Sequence, residues 1–228
     1  MSDSVRVIEI KKSVFAKNEI NADALRKKLK EKGVYLLNVM SSPGSGKTTT
    51  LTGVINKLKD KLNIAVMEAD IDSDVDAKTI AKLTGVQSIQ LHTGGMCHLD
   101  AEMTNQGLES LENFDDLDLI ILENVGNLVC PAEFDTGAVN SLTILSVPEG
   151  DDKPLKYPLM YEVCSLVVIN KIDVMPYFNF DLEACKANIK KRNPFADIIP
   201  VSAIKGEGID ELANWILNKV IEWKNRQN

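Results

Sequence analysis

Between the apolar run YLLNVM and a helix-forming stretch that opens at Lys47, residues 41–48 read Ser-Ser-Pro-Gly-Ser-Gly-Lys-Thr. A glycine-rich turn that leaves a buried strand and enters a helix on Lys-Thr is a phosphate loop, and it commits the chain to a strand–loop–helix unit within an α/β sheet. Gly44 and Gly46 let the backbone curl so that successive N–H groups, including those of Ser45 and Gly46, face phosphate oxygens, while the following helix points its positive end at them. Lys47 adds a point charge between the β- and γ-phosphates, the Thr48 hydroxyl is a ligand for Mg²⁺, and Thr49 completes the loop. Ser41 occupies the position of the usual first glycine.

The rest of the chain follows this lead. Short apolar runs, NIAVME, VQSIQLH, LDLIILE, LTILSV, CSLVVIN and ADIIPVS, alternate with amphipathic stretches at Val75–Leu83, through Leu111, and at Ile209–Trp223. Continuous β-branched runs separated by helices describe a parallel sheet covered on both faces. The expectation is a three-layer α/β P-loop NTPase fold with a mostly parallel central sheet. An N-terminal helix from Asn18 to Lys32, with Ile20, Leu25 and Leu29 on its apolar face and Gly33 to stop it, precedes the sheet. Residues 1–33 are read as a helical extension and 34–228 as the nucleotide domain; 228 residues with 44% apolar content suit one core.

Two later segments select the base. Asn170-Lys171-Ile172-Asp173 follows the strand SLVVIN, and Ser202-Ala203-Ile204-Lys205-Gly206 ends the next strand about 30 residues on. Asp173 can accept hydrogen bonds from guanine N1–H and its exocyclic amine, a pair adenine does not present, so an ATP complex would leave a buried carboxylate facing an acceptor. Lys171 would lie along the base and the N–H near Ala203 would meet the guanine carbonyl. Acids at strand ends suit the metal: Asp70 after NIAVME and Glu123 after LDLIIL are candidates to hold Mg²⁺. Asp76, with Asp72 second, is the candidate to orient the attacking water. Helix capping and loop solvation account for some of these acids as well.

Cys97 and His98 follow VQSIQLH and a Thr-Gly-Gly-Met turn and are expected at the start of a helix, and Cys130 is expected to follow the strand ILENVGNLV directly, so both positions belong to the sheet edge that carries the phosphate loop. Two thiolates and an imidazole suit Zn²⁺ or a tetragonal Ni²⁺. They also suit packing, since free cysteine is among the most buried residue types. Three ligands per chain leave a metal site incomplete and suggest completion across a two-fold axis. Cys164 and Cys185 read as core. The net charge of −7 argues against a general grip on nucleic acid or an anionic membrane. The absence of a signal-peptide core and of a bilayer-length apolar run leads to an expected cytoplasmic location.

Taken together, SSPGSGKTT, TGGMCHLDA, ENVGNLVCP, SVPEGDDKPLKYP and NKID closely resemble the HypB family of hydrogenase nickel-incorporation GTPases, within the SimiBi class. The resemblance implies a homodimeric GTPase, binding GTP or GDP and Mg²⁺, whose Ni²⁺ or Zn²⁺ site uses Cys97, His98 and Cys130. It implies action with a HypA-type metallochaperone on the large subunit of a [NiFe]-hydrogenase. Some members add an N-terminal CxxCGC site or a histidine-rich stretch; this chain has no cysteine before Cys97 and only His92 and His98. A GTPase chaperone of the urease-accessory type, for nickel or for a cobalamin enzyme, and a P-loop small-molecule kinase are the competing readings; ENVGNLVCP weighs against the first and NKID counts against the second.

Overall fold

The computed structural model describes residues 10–71 and 73–225. The chain begins with α1 (Ile10–Lys32), β1 (Tyr35–Ser41), α2 (Lys47–Leu58), β2 (Ile64–Asp70), α3 (Val75–Thr84), β3 (Gln87–His92) and α4 (Ala101–Glu109). It continues with β4 (Leu119–Glu123), α5 (Cys130–Glu133), β5 (Asn140–Ser146), α6 (Lys153–Lys156), α7 (Pro158–Glu162), β6 (Leu166–Asn170), α8 (Leu182–Arg192), β7 (Asp197–Pro200) and α9 (Ile209–Asn225).

The seven strands form one sheet in the order β3-β2-β4-β1-β5-β6-β7, and every pairing is parallel. Successive residues of a strand face opposite sides. Along β1, Tyr35, Leu37 and Val39 therefore pack with α2, α3 and α9, whereas Leu36 and Met40 pack toward α1, α4, α7 and α8. Both faces are covered, which is why these strands read as unbroken apolar runs rather than alternating ones. The expected three-layer P-loop architecture is the one observed.

Helix α1 begins at least as early as Ile10, ahead of the expected Asn18. Its buried stripe is Asn18, Ala22, Leu25 and Leu29, whereas Ile20 is 70% exposed. The spacing of four, three and four residues from Asn18 keeps these side chains on one face. Ile20 falls off that face, because the polar Asn18 takes an inward position that an apolar residue was expected to hold. Gly33 ends the helix with a positive φ of 69°.

All strands being parallel, their carboxyl ends share one edge. The phosphate loop, Glu68, Asp70, the Thr93–His98 turn, Glu123, Asn170 and Ser202 are gathered there from six strands, at the edge where open α/β sheets bind ligands.

Candidate functional site

The phosphate loop runs from the end of β1 into α2. Gly46, at φ 96°, lies so close to Asn170 that a Cβ there would come within 2.4 Å of the amide nitrogen. Only glycine permits both the turn and the approach. Lys47 Nζ donates to Ser41 Oγ at 3.0 Å and stands 3.9 Å from Glu123 Oε1. Ser41, in place of a first glycine, thus supplies a hydroxyl that holds the lysine in position.

The base segments close against this loop. Asn170 Nδ2 donates to the Ser45 carbonyl at 2.9 Å, and Asn170 Oδ1 accepts from the N–H groups of Lys171 at 2.7 Å and Ala203 at 3.2 Å. Asn170 therefore ties three segments together at the wall of the base cleft. Lys171, in a left-handed conformation at φ 63°, reaches across to the Gly44 carbonyl at 2.6 Å. Asp173 Oδ1 accepts from the Ser202 hydroxyl at 2.6 Å, which orients the carboxylate. Between these residues lies a cleft of about 240 Å³ lined by Gly46, Thr49, Asn170, Lys171, Asp173 and Ala203, among others.

The acids cluster differently from the expectation. Because β4 inserts between β2 and β1, Glu68 and Glu123 are register partners. Together with Asp76 from the first turn of α3, they bring carboxylate oxygens within 4.8 Å of one another. Thr48 Oγ1 donates to Asp76 Oδ1 at 2.9 Å, which attaches the phosphate loop to this cluster. Glu68 is the member the sequence reading missed. Asp70 lies outside the clustered oxygens and accepts from the Ser73 N–H at 2.9 Å. Asp72 lies outside the described residues.

Burial pushes the Glu68 carboxyl up to about 7 and the Glu123 carboxyl up to about 8, the second despite the nearby Lys47. Among the described residues, Glu68 Oε2 and Glu123 Oε2 are buried and have no hydrogen-bond partner. Converging carboxylates with orphaned oxygens beside a threonine hydroxyl fit a hard divalent cation such as Mg²⁺. Both folded values exceed the carboxylate reference of 4.5. The folded state therefore binds more protons, and the associated stability, full below about pH 4.5, is lost as pH rises through 7 to 8. In chelator and without nucleotide, the melting temperature is expected to fall between about pH 5 and about pH 8 and to level off above that. Thermal melts across that range check this, and a flat profile would mean that the two carboxyls are not desolvated.

A second cluster lies at the same edge. Cys97, His98 and Cys130 place their ligand atoms within 4.8 Å of one another, with Cys97 Sγ 4.0 Å from His98 Nδ1. Metal–sulfur bonds of about 2.3 Å and metal–nitrogen bonds of about 2.0 Å need ligand atoms roughly 3.5–4 Å apart, so small side-chain shifts close this set on an ion. The Cys97-His98 pair sits in a loop, three residues ahead of α4, because Asp100 is the N-cap and accepts from the Met103 N–H. Cys130 opens α5 rather than following β4 directly, and Pro131 comes next. Burial holds the His98 imidazole below its ordinary value, favouring the neutral ligand form. The Cys130 thiol is held above its ordinary value chiefly by hydrogen bonding to Cys97. His92 ends β3, exposed and outside the cluster. Cys164 and Cys185 are buried, as expected of core residues.

Comparison with known proteins follows the same lines. The model for the CobW/HypB/UreG nucleotide-binding domain matches residues 35–200. Hydrogenase maturation factor HypB of Escherichia coli (strain K12) is 46% identical over 211 residues, covering 92% of this chain and 72% of that protein. The hydrogenase/urease maturation factor HypB of Helicobacter pylori (strain J99) is 38% identical over 219 residues, covering 95% and 89%. Among solved structures, HypB from Helicobacter pylori in complex with nickel superposes with a TM-score of 0.85 at 39% identity, covering 90% of this chain and 96% of that one. HypB from Archaeoglobus fulgidus gives 0.83 at 35%, covering 90% and 99%.

Proposed function

The chain belongs to the HypB family of nucleotide-binding proteins, and from that premise we propose that it hydrolyses GTP and uses the cycle to insert nickel during [NiFe]-hydrogenase maturation. The observation that carries this reading is the sharing of one sheet edge by the base cleft, the phosphate loop and the Cys97–His98–Cys130 cluster. Nickel is the cargo and is held by those three side chains, with a second copy of the chain completing the shell across a two-fold axis. A HypA-type metallochaperone and the hydrogenase large subunit are the proposed donor and acceptor, in the cytoplasm, and neither nucleic acid nor membrane takes part. Among the described residues, no helix is long and apolar enough to cross a membrane. Since the Helicobacter relatives are called hydrogenase/urease maturation factors, a urease is the alternative acceptor.

Within the cycle, Ser45, Gly46 and Thr49 line the phosphates and Lys47 neutralises charge between the β- and γ-groups. Thr48, Glu123 and Glu68 would hold Mg²⁺, which when bound supplies charge neutralisation at the phosphates; Asp70 would act only through water. Asp76, which accepts from Thr48, is the residue proposed to orient the attacking water. The protein's contribution is placement rather than covalent chemistry.

Base choice is the most direct test of the nucleotide assignment. In Asp173→Asn the amide oxygen can retain the Ser202 hydrogen bond, which turns Nδ2 toward the base. That nitrogen can donate to the 2-carbonyl of xanthine but not to guanine. GTP affinity should fall about 100-fold or more and xanthosine triphosphate should become preferred. Competition titrations with GTP, ATP and xanthosine triphosphate check this; unchanged GTP preference would remove Asp173 from base recognition.

A further inference from the structure

The side chain of Asn18, on the N-terminal helix, is used by neither the nucleotide site nor the sheet. It is buried, at 7% exposure. Its Oδ1 accepts from the Ala101 N–H at 3.0 Å, and its Nδ2 donates to the Asp135 carbonyl at 2.8 Å. Ala101 comes three residues after His98 and opens α4; Asp135 comes five residues after Cys130 and leaves α5. A single amide therefore joins the main chains of the two segments that bring the thiol and imidazole groups. We propose that Asn18 is a positioning residue for the metal site, fixing the separation of Cys97 and His98 from Cys130. The proposal rests on those three residues being metal ligands.

Further contacts follow the same path. Arg26, two turns along α1, donates from Nη1 to both carboxylate oxygens of Asp135 at 2.9 Å. Asp135 Oδ1 also accepts from the Gly137 N–H at 2.8 Å, which fixes the chain leaving α5. Phe134 stacks on the His98 ring, with centroids 3.7 Å apart and planes at 14°, and Phe15 of α1 packs on Phe134 at 4.9 Å. Helix α1 thus grips the Cys130 segment through Asp135 and Phe134, and the Cys97-His98 segment through Ala101.

The chemistry of the bridge explains why an amide serves there. The Ala101 N–H is one of the first N–H groups of α4 and has no acceptor within the helix. The Asp135 carbonyl needs a donor, and a short side-chain amide presents a donor and an acceptor on adjacent atoms, one for each segment. Metal affinity depends on how well ligands are held before the ion arrives, and partners outside the ligand set typically contribute ten- to hundredfold. Loosening one segment relative to the other should also let the geometry relax, which changes the ligand field of a bound ion.

The experiment uses the full chain as wild type, Asn18→Ala, Asn18→Asp, Arg26→Ala and Cys130→Ala. Asn18→Asp keeps the acceptor for Ala101 but sets an oxygen against the Asp135 carbonyl, so it frees the Cys130 segment alone. Ni²⁺ affinity is measured by competition with a chromophoric chelator, the visible spectrum is recorded at saturating Co²⁺, and GDP affinity is measured in parallel. Asn18→Ala and Asn18→Asp are expected to lose ten- to hundredfold in Ni²⁺ affinity and to shift the Co²⁺ spectrum, with GDP affinity within about twofold of wild type. Arg26→Ala is expected to lose several-fold in Ni²⁺ affinity. A merely structural role for Asn18 would leave the saturated Co²⁺ spectrum unchanged. Wild-type Ni²⁺ affinity and Co²⁺ spectrum in Asn18→Asp and Arg26→Ala would overturn the proposal, and these two variants decide it should Asn18→Ala not fold. Wild-type Ni²⁺ affinity in Cys130→Ala would instead remove the ligand assignment itself.

Discussion

Lys47→Ala is expected to lower the GTP turnover number by about 100-fold or more while the domain stays folded. The lysine stands 3.9 Å from Glu123, one of the paired acids, and 3.0 Å from Ser41 Oγ. Its loss removes charge stabilisation that the phosphates need as they separate. Folding should survive because burial already pushes the Glu123 carboxyl up to about 8; at neutral pH that group carries a proton, and no unpaired buried charge is left behind. Phosphate release from GTP, measured alongside thermal melts, tests both halves. Wild-type turnover would overturn the phosphate-loop assignment.

The second large effect concerns nickel. Cys97→Ala and Cys130→Ala are each expected to reduce Ni²⁺ binding by at least about 100-fold, because a three-ligand set cut to two loses a thiolate bond that no neighbouring cysteine can replace. Cys164 and Cys185 are buried in the core, and burial drives the Cys185 thiol up to about 12, away from the thiolate that metals require. GTP binding by the isolated chain should be nearly unchanged, since neither thiol lines the base cleft or the phosphate loop. Equilibrium dialysis with Ni²⁺, in parallel with GTP titration, checks the separation of the two functions. Undiminished nickel binding in both variants would place the metal elsewhere.

How far the sequence could carry these assignments depended on the range of the interaction involved. The seven strands were legible because a sheet covered on both faces demands continuous apolar runs. The phosphate loop was legible because its residue types serve local geometry. Glu68 was not, since its role arises from β4 lying between β2 and β1, and strand order is absent from any local pattern. Asn18 was hidden for the same reason: its partners lie 83 and 117 residues away. Ile20 was assigned to the buried face because apolar spacing alone cannot recognise a polar residue that is buried for its hydrogen bonds. The short helices α5, α6 and α7 did leave a signal, proline at their first positions in Cys130-Pro131, Lys153-Pro154 and Pro158. Asp100 likewise marked the true start of α4.

Nucleotide and metal are expected to act as parts of one device. Glu123 sits at the end of β4 beside Lys47, and Cys130 opens α5 seven residues later, joined by a single loop. A rearrangement around the γ-phosphate that moves Glu123 should therefore move Cys130 relative to Cys97 and His98. Linkage makes any such effect reciprocal, with a coupling free energy on the order of 1–3 kcal/mol. The most direct measurement is Ni²⁺ affinity by calorimetry in the GDP-bound and GTP-analogue-bound states of the wild-type chain. The account predicts affinities that differ by about 5- to 150-fold between the two states. Equal affinities would contradict it, leaving a nickel site and a GTP site that share a sheet edge without GTP controlling delivery.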